Sequence, residues 1–230
     1  DAERLSPLER RALEVAVLCN TASLPEAGSS EEAKGDPTEL ALLAGGRELG
    51  LERERLLADR PNVRIEQFDP DVAMMATFHQ AGEGVLVAVK GAPEAVVDAC
   101  VSSAGRADGE GGGDLDVPLD AAERRAWLRR AEELAARGLR VLALASRTGE
   151  AQDVAPYEAL CLLGLVGLLD PPRPGVRSAI DRCQAAGIRV EMVTGDQPET
   201  ARAIAEAVGV VGGRDDLETV VMHGSELVAP

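Results

Sequence analysis

The spacing of apolar residues predicts a first part of the chain that mixes helices with strands and a second part in which the two alternate. Apolar residues at helical spacing predict helices over 8–19, 39–46, 93–100, 120–137, 174–186 and 198–208. Apolar runs predict strands over 63–68, 72–79, 84–90, 139–146, 161–169, 188–193 and 219–222. We expect an α+β fold with an antiparallel sheet and helices up to about residue 165, followed by part of a parallel α/β unit.

Turn and capping residues support several of these boundaries. Gly35-Asp36-Pro37-Thr38 places a capping side chain and a proline at the start of the helix predicted over 39–46. Gly138 follows the helix predicted over 120–137, where a glycine commonly ends a helix. Asp69-Pro-Asp71 predicts a turn between the first two strands. Gly, Ser and Asp dominate 102–114, which we expect to be a flexible loop with no binding role.

The chain is acidic, with a formal net charge of -16 over 230 residues. An acidic protein repels polyanions, so we expect no nucleic-acid partner, and any anionic ligand must be met by individually placed cations. The longest apolar run, 159–169, contains two glycines and falls short of the roughly 18 residues that a membrane span needs. The sequence begins with Asp1 and shows no basic leader with an apolar core, so we expect a soluble piece of a longer protein.

A candidate phosphate-binding turn lies in the second part. Thr194-Gly195-Asp196 follows the strand predicted over 188–193 and precedes the helix predicted over 198–208. A strand that runs through such a turn into a helix presents a hydroxyl group together with free backbone N–H groups, which is how α/β sheets hold phosphate. The same residues suit any strand-to-helix turn, because Gly and Asp favour tight turns. From spacing alone both interpretations stay open.

Five separated motifs occur in a fixed order along the chain. They are Gly35-Asp-Pro-Thr-Glu39, Phe68 followed by Met75, Lys90-Gly-Ala-Pro-Glu94, Gly138-Leu-Arg140-Val-Leu-Ala-Leu-Ala145, and the segment from Asp170-Pro-Pro-Arg173 to Thr194-Gly-Asp196. Together they resemble the cytosolic region of P-type cation-transporting ATPases, and the likeness spans nearly the whole chain. The third and fifth motifs are the most specific. The Lys-Gly-Ala-Pro-Glu string favours the calcium-pump-like and proton- or magnesium-pump-like branches over the heavy-metal branch.

This resemblance implies a division into two domains. Residues 1–165 would form most of a nucleotide-binding domain, and residues 166–230 would be the first part of a phosphorylation domain of the haloacid dehalogenase type. The parent protein would couple ATP hydrolysis to cation transport at the cytosolic face of a membrane, with Mg²⁺ as cofactor. Its partners would be ATP and the transmembrane and actuator domains of the same polypeptide.

The resemblance also assigns residues to the nucleotide, and each has a plainer interpretation. Phe68 would stack on the adenine, or it would lie in the core. Thr38 and Glu39 would hydrogen-bond the adenine amino edge, or they would only cap a helix. Lys90 would meet the adenine ring or a phosphate, with Gly91 allowing close approach of the ligand, or it would be a solvated lysine at a strand end.

Further residues would serve the phosphate groups. Arg140 lies in an otherwise apolar strand, where a buried or half-buried guanidinium needs an anion, either a phosphate or an acidic side chain. By resemblance, Thr194 and Gly195 would hold the transferred phosphoryl group, and Asp196 would orient the γ-phosphate with its metal or cap the following helix. Asp170 resembles an Asp near the hinge of the phosphorylation domain, or it is a turn residue before two prolines.

Several parts that the family's activity requires are missing from the sequence. No Asp-Lys-Thr-Gly-Thr string with a phosphoryl-acceptor Asp occurs, nor a Gly-Asp-Gly-x-Asn-Asp metal site, so we expect nucleotide binding without turnover. Residues 69–75 contain no Lys or Arg where many members carry a basic residue, so we expect weak ATP binding.

Two other functions stay open. One is a stand-alone haloacid-dehalogenase-type phosphatase with a cap domain, which needs an Asp-x-Asp string after an apolar strand. Asp69-Pro-Asp71 and Asp114-Leu-Asp116 have that spelling, but neither follows an apolar strand at the start of an α/β unit. The other is a non-catalytic regulatory module.

Overall fold

The computed structural model describes residues 5–25, 29, 32–106, 114–149, 155–169, 173, 175–194 and 198–211. The chain divides into two compact units, of which the first comprises Asp1–Leu128 with Leu142–Val166 and the second comprises Arg129–Val141 with Gly167–Pro230. The assignment of domains to residues 1–165 and 166–230 stays a prediction.

A mixed sheet of seven strands forms the centre of the fold. The strands are β1 (Asn62–Asp69), β2 (Met74–Ala81), β3 (Gly84–Gly91), β4 (Cys100–Arg106), β5 (Asp114–Pro118), β6 (Arg140–Gly149) and β7 (Leu160–Leu168). Their order across the sheet is β1-β2-β3-β6-β7-β4-β5. Strands β1, β2, β3 and β6 pair antiparallel in succession, and so do β4 and β5, whereas β4 and β7 are parallel. The sheet and its helices make the first part an α+β structure, as the sequence predicts.

Seven helices are described. They are α1 (Pro7–Leu18), α2 (Pro37–Glu48), α3 (Arg53–Asp59), α4 (Pro93–Ala99), α5 (Ala121–Ala135), α6 (Val176–Ala185) and α7 (Pro198–Val208). Three of them start with side-chain caps. Ser6 and Glu9 form a capping box at α1, the Asp36 carboxylate accepts a hydrogen bond from Thr38 N at α2 (2.8 Å), and the Asp120 carboxylate accepts from Ala122 N and Glu123 N at α5 (2.7 and 2.8 Å). Gly138 has a φ of +78°, the left-handed conformation predicted for a glycine that ends the helix before it.

Strand β2 is buried on both of its faces, to which its side chains point alternately. Met74, Ala76 and Phe78 belong to the main core, which also takes apolar residues of β3, β6, β7 and α4, with Trp127 and Leu128 of α5 packed against it. Thr77 and His79 alternate with these residues, and the Thr77 hydroxyl donates to Leu18 O at the end of α1 (3.2 Å). Burial of a side chain as large as Phe78 contributes about 1.5–3 kcal/mol.

A second apolar cluster joins the first two helices. Val17 of α1 packs with Leu43 of α2 and with Ala22 and Leu51, and all four are nearly inaccessible to solvent. Helix α2 contains two adjacent glycines, Gly45 and Gly46, that differ in their surroundings. A Cβ at Gly46 would lie 2.4 Å from Val17 Cγ2, whereas a Cβ at Gly45 would have no heavy atom within 4 Å.

The predicted loop over 102–114 is wrong at both of its ends. Residues 102–106 continue β4 and Asp114 begins β5, and these two strands pair antiparallel; residues 107–113 lie outside the described residues. Local composition favoured a loop, but pairing of β4 with both β5 and β7 satisfies its backbone groups and outweighs that preference. The parallel β4–β7 pair also departs from the antiparallel sheet that we expect from the sequence, and α3 was not predicted.

In the second unit both predicted helices are confirmed, as α6 and α7. Gln184 Nε2 donates to Gly209 O (2.9 Å), and the Arg177 guanidinium donates to Ala207 O (3.1 Å), so each bond links α6 to the end of α7. The strand predicted over 188–193 is wrong, because these residues adopt no regular secondary structure and Val193 is 96% exposed. A strand needs a ladder partner for its backbone groups, and none pairs with it among the described residues. The strand predicted over 219–222 lies outside them.

The adjacent glycines of α2 give the first prediction. Gly46→Ala should lower the free energy of unfolding by about 1–3 kcal/mol, because the new methyl group must displace buried Val17. Gly45→Ala should raise it by about 0.5–1 kcal/mol, since alanine costs less backbone entropy in a helix. Urea denaturation of both variants measures the two effects, and equal effects at the two positions would contradict the packing described.

His79 gives the second prediction. Burial, helped by the charges of Arg53 and Arg60, lowers the pKa of its imidazole to about 4, although hydrogen bonds to the backbone act to raise it. Because this native pKa lies below the unfolded value of 6.5, the unfolded chain binds more protons in acid. The stabilisation from His79 is therefore complete above pH 6.5 and is lost as the pH falls towards 4.

The measurement compares the free energy of unfolding of the wild type and His79→Gln across this range. Between pH 7 and pH 4 the wild type should lose up to about 3 kcal/mol more than the variant. The variant is the control for carboxylates that titrate over the same range. Parallel pH curves for the two proteins would show that His79 is not held neutral.

Candidate functional site

Three strand ends meet at one end of the sheet in the first unit. Strand β3 finishes there with Lys90 and Gly91, which pair with Met75 and Met74 at the start of β2. Met74 also pairs with Asp69 at the end of β1, so Phe68 is the next residue back along that strand. Two strand spacings separate β1 from β3, which is about 10 Å. The antiparallel order of the strands thus brings the second and third sequence motifs together.

Lys90 forms a buried ion pair with Glu39 of α2. Its Nζ lies 2.6 Å from Glu39 Oε1, and the two side chains are only 8% and 9% exposed. Among the described residues these are the only buried carboxylate and the only buried ammonium or guanidinium group. Loss of one partner from such a pair leaves an uncompensated charge and costs about 3–5 kcal/mol. The pair therefore fixes the start of α2 to the end of β3.

The second oxygen of Glu39 accepts three further hydrogen bonds. Its donors are Thr21 N at 3.1 Å, Thr21 Oγ1 at 2.7 Å and Ala22 N at 3.0 Å. Burial acts to raise the pKa of this carboxyl, but the hydrogen bond and charge of Lys90 and the bonds from Thr21 outweigh burial and lower the pKa. Glu39 is therefore a fixed, ionised hydrogen-bond acceptor.

Local sequence accounts for the position of Glu39. Asp36 caps α2 and Pro37 occupies its first turn, which places Glu39 where the helix dipole favours a negative charge. Gly35 has a φ of +131°, and a Cβ there would lie 2.3 Å from the Cβ of Ala22. Only glycine permits this close approach, so the motif Gly35–Glu39 brings the backbone of residues 20–22 against the carboxylate.

The two phenylalanines lie in opposite environments. Phe68 is 58% exposed at the end of β1, whereas Phe78 is fully buried in the main core. The Arg64 guanidinium covers the Phe78 ring at 4.4 Å from its centroid. Sequence reasoning left Phe68 between a surface ring that stacks on a ligand and a core residue, and the structure places it on the surface.

Gly91 is required by packing alone. A Cβ at this position would lie 2.4 Å from Ala73 O and 2.8 Å from Met74 Cγ, both on the neighbouring turn and strand. Contact with a ligand is therefore not needed to explain the glycine. Nor is Lys90 a solvated lysine at a strand end, because its ammonium is buried and paired. Thr38 is half-buried beside Glu39, and its backbone N–H donates to Asp36.

The residues predicted to serve the phosphates lie in the second unit or outside the described residues. Arg140 is the first residue of β6, belongs to the second unit and has an exposed side chain, so the expectation of a buried or half-buried guanidinium is wrong. A position at the strand end explains this, because burial in β6 begins further along, at Ala143. Thr194 is exposed, whereas Gly195, Asp196 and Asp170 lie outside the described residues.

Sequence reasoning missed the segment Asn20-Thr21-Ala22. Asn20 is fully buried, its Nδ2 donates to Glu39 O (3.0 Å), and its Oδ1 accepts from Ala22 N (2.8 Å). The only signal in the sequence is a pair of polar residues directly after an apolar helix. That pattern is also typical of an ordinary loop.

The described residues form neither a metal-binding cluster nor a membrane-spanning helix. They hold no group of three or more His, Cys, Asp or Glu side chains arranged to bind a metal ion. None of the helices described has the length and apolar character that crossing a membrane requires.

Comparison with known proteins identifies the family. The family model described as "P-type ATPase, cytoplasmic domain N" matches residues 9–175. Cation-transporting ATPase pma1 of Synechocystis is 37% identical over 93% of this chain and 23% of its own length. The sodium/potassium exporting P-type ATPase cta3 of Schizosaccharomyces pombe is 36% identical over 94% of this chain and 21% of its own length. Calcium-transporting ATPase 1 of Bacillus cereus is 34% identical over 96% of this chain and 23% of its own length.

The chain thus spans less than a quarter of the length of these relatives. Its match to the domain model over most of its residues shows that it belongs to the P-type cation-transporting ATPases.

Proposed function

We propose that this chain is the ATP-binding part of a P-type ATPase that couples ATP hydrolysis to cation transport. Residues 1–165 would be the nucleotide-binding domain, and residues 166–230 would be part of a haloacid-dehalogenase-like phosphorylation domain. The whole protein would lie in a membrane with this chain on the cytosolic face, next to the transmembrane and actuator domains of the same polypeptide. Its relatives are named for different cations, so no transported ion is assigned.

The buried pair of Glu39 and Lys90 is the observation that carries this proposal. The pair joins two of the motifs on which the family resemblance rests, and it lies at the end of the sheet to which β1 brings exposed Phe68. Adenine presents an amino donor next to a ring-nitrogen acceptor. A carboxylate acceptor held next to an ammonium donor is complementary to that edge, while an aromatic ring can stack on the face of the base.

Lys90 is better suited to the base than to the phosphates. Its ammonium is 2.6 Å from a carboxylate that already balances its charge, and its side chain is only 8% exposed. The exposed guanidinium of Arg140 is the more suitable partner for a phosphate, and Thr194, Gly195 and Asp196 would serve the γ-phosphate. Mg²⁺ would accompany ATP in the parent protein and neutralise the phosphate charge there; no ligand for it is assigned in this chain.

Binding without turnover is the activity proposed for the chain by itself. The sequence contains no Asp-Lys-Thr-Gly-Thr string, so we expect no phosphorylated intermediate. The strings that a phosphatase would need lie on antiparallel elements: Asp69-Pro-Asp71 connects β1 to β2, and Asp116 lies in the β4–β5 hairpin. A phosphatase of the haloacid dehalogenase type places its nucleophile after a parallel strand, so these positions favour the ATP-binding proposal.

Phe68 gives the third prediction. Phe68→Ala should weaken ATP binding by roughly 5- to 150-fold, because a stacked base contributes about 1–3 kcal/mol. The free energy of unfolding should change little, since the ring is 58% exposed. Titration with ATP, followed by backbone NMR shifts near Phe68 and Lys90, measures the affinity.

A matched control lies on the same strand. Ile65 is 39% exposed on β1, so Ile65→Ala removes a comparable exposed apolar side chain without touching the proposed stacking ring. It should leave ATP affinity unchanged. Equal ATP affinity of Phe68→Ala and the wild type would refute stacking, and turnover of p-nitrophenyl phosphate by the wild type would favour a phosphatase.

A further inference from the structure

Residues 20–22 surround the carboxylate of Glu39 on the side away from Lys90. Thr21 N, Thr21 Oγ1 and Ala22 N all donate to Oε2, while Lys90 Nζ is the one described donor to Oε1. A carboxylate oxygen has two lone pairs, so Oε1 keeps capacity for one more donor and Oε2 has none left. The carboxylate can therefore accept a ligand donor only through Oε1.

We infer that Thr21 is a positioning residue for base recognition: its hydroxyl and backbone N–H hold Oε2 of Glu39 so that Oε1 faces the amino group of a 6-aminopurine nucleotide. This inference deepens the proposed function and rests on it. Thr21 itself makes no contact with the base. It acts through Glu39. The hydrogen bond from Thr21 Oγ1, at 2.7 Å, is the shortest of the three that Oε2 accepts.

The segment is built to keep Thr21 in place. Asn20 is fully buried and bonds to both Glu39 O and Ala22 N, which ties the segment to the backbone of α2 on one side of Thr21. On the other side, Ser23 and Lys34 exchange two backbone hydrogen bonds of 2.8 and 3.0 Å. Gly35 lets Ala22 approach closely. A rigid frame thus positions the Thr21 hydroxyl independently of its own side-chain bond.

Because Thr21 is exposed, its effect on the orientation of Glu39 can be measured separately from any effect on the stability of the fold. Its residue surface is exposed, so removal of the hydroxyl creates no cavity in the core. If the hydrogen bond from Thr21 Oγ1 is lost, the Glu39 carboxylate still accepts hydrogen bonds from the backbone of Thr21 and Ala22. A change at Thr21 should therefore alter the orientation of Glu39 more than it alters the fold.

The test compares ATP with inosine triphosphate, which carries a carbonyl oxygen where ATP carries the 6-amino group. Both nucleotides are titrated into the 230-residue chain and into Thr21→Val, with the affinities measured by calorimetry or NMR. The wild type should prefer ATP, and Thr21→Val should reduce that preference by about 2- to 10-fold, mainly through weaker ATP binding. Thr21→Ser keeps the hydroxyl and should restore the preference.

Ser23→Ala is the control, because it removes a hydroxyl two residues away and leaves the backbone bonds of Ser23 intact. It should keep the preference of the wild type. Thr21→Ala replaces Thr21→Val if the larger apolar side chain prevents folding, as judged by amide NMR spectra.

The outcomes separate this inference from the proposed function. A wild type that prefers ATP, together with a Thr21→Val variant that keeps the full preference, overturns the positioning role alone. A wild type that binds ATP and inosine triphosphate equally overturns base recognition by Glu39 and the inference with it. A wild type that binds neither nucleotide overturns the proposed function as well. Loss of the preference in Thr21→Ser as well as in Thr21→Val also overturns the inference, because the hydroxyl would then not be the group that matters.

Discussion

The arrangement of the first unit depends on one buried ion pair. Glu39 lies in the first turn of α2, and Lys90 lies 51 residues later at the end of β3. Neither side chain can become solvated unless its helix or strand moves. Each charge stabilises the other where water is largely excluded, and Thr21 and Ala22 donate to the carboxylate oxygen that Lys90 does not contact. The same constraint accounts for Gly35, since only glycine allows Ala22 to come near enough, and for the lowered pKa of the Glu39 carboxyl.

Stability does not explain why such a pair is present. Two apolar side chains of similar size would hold α2 against β3 at least as well, because a buried ion pair seldom recovers the cost of removing both charges from water. What an apolar pair cannot supply is a fixed acceptor next to a fixed donor. Under the proposed function, that hydrogen-bonding pattern is what distinguishes one purine from another, and the exposed ring of Phe68 would supply contact area that any base could use. The surrounding bonds make the pair rigid, so its pattern is present before a ligand arrives.

Local sequence patterns predicted the helices and strands whose partners lie nearby in the sequence. They failed to predict strands that pair with residues distant in the sequence. The strands around Asp69-Pro-Asp71 and the cap at Asp36 were found because each carries its own turn or capping residue. Strand β4 was missed at 102–106 because Ser and Gly there pair only through contacts with β5 and β7. The chemistry of the site followed a similar division. Motif resemblance selected Glu39 and Lys90, but no spacing rule connects them to Thr21. The apolar neighbours of Arg140 predicted a buried side chain, whereas its position at the end of the strand leaves it exposed.

The distribution of charge also bears on how an acidic chain could hold a triphosphate. The net charge is -16, the ammonium nearest the proposed base site is neutralised by Glu39, and residues 69–75 add two carboxylates and no cation. Charges more than about 8 Å apart are largely screened at physiological ionic strength, so distant basic residues cannot compensate. Under the proposed function, stacking on Phe68 and hydrogen bonds to the pair are the interactions that would favour the nucleotide in the first unit. Recognition would begin at the base, while the phosphates would stay open to cations supplied by Arg140 and by other domains of the parent protein. In the proposed parent protein, this separation would keep the terminal phosphate accessible for transfer to a residue outside the site that holds the base.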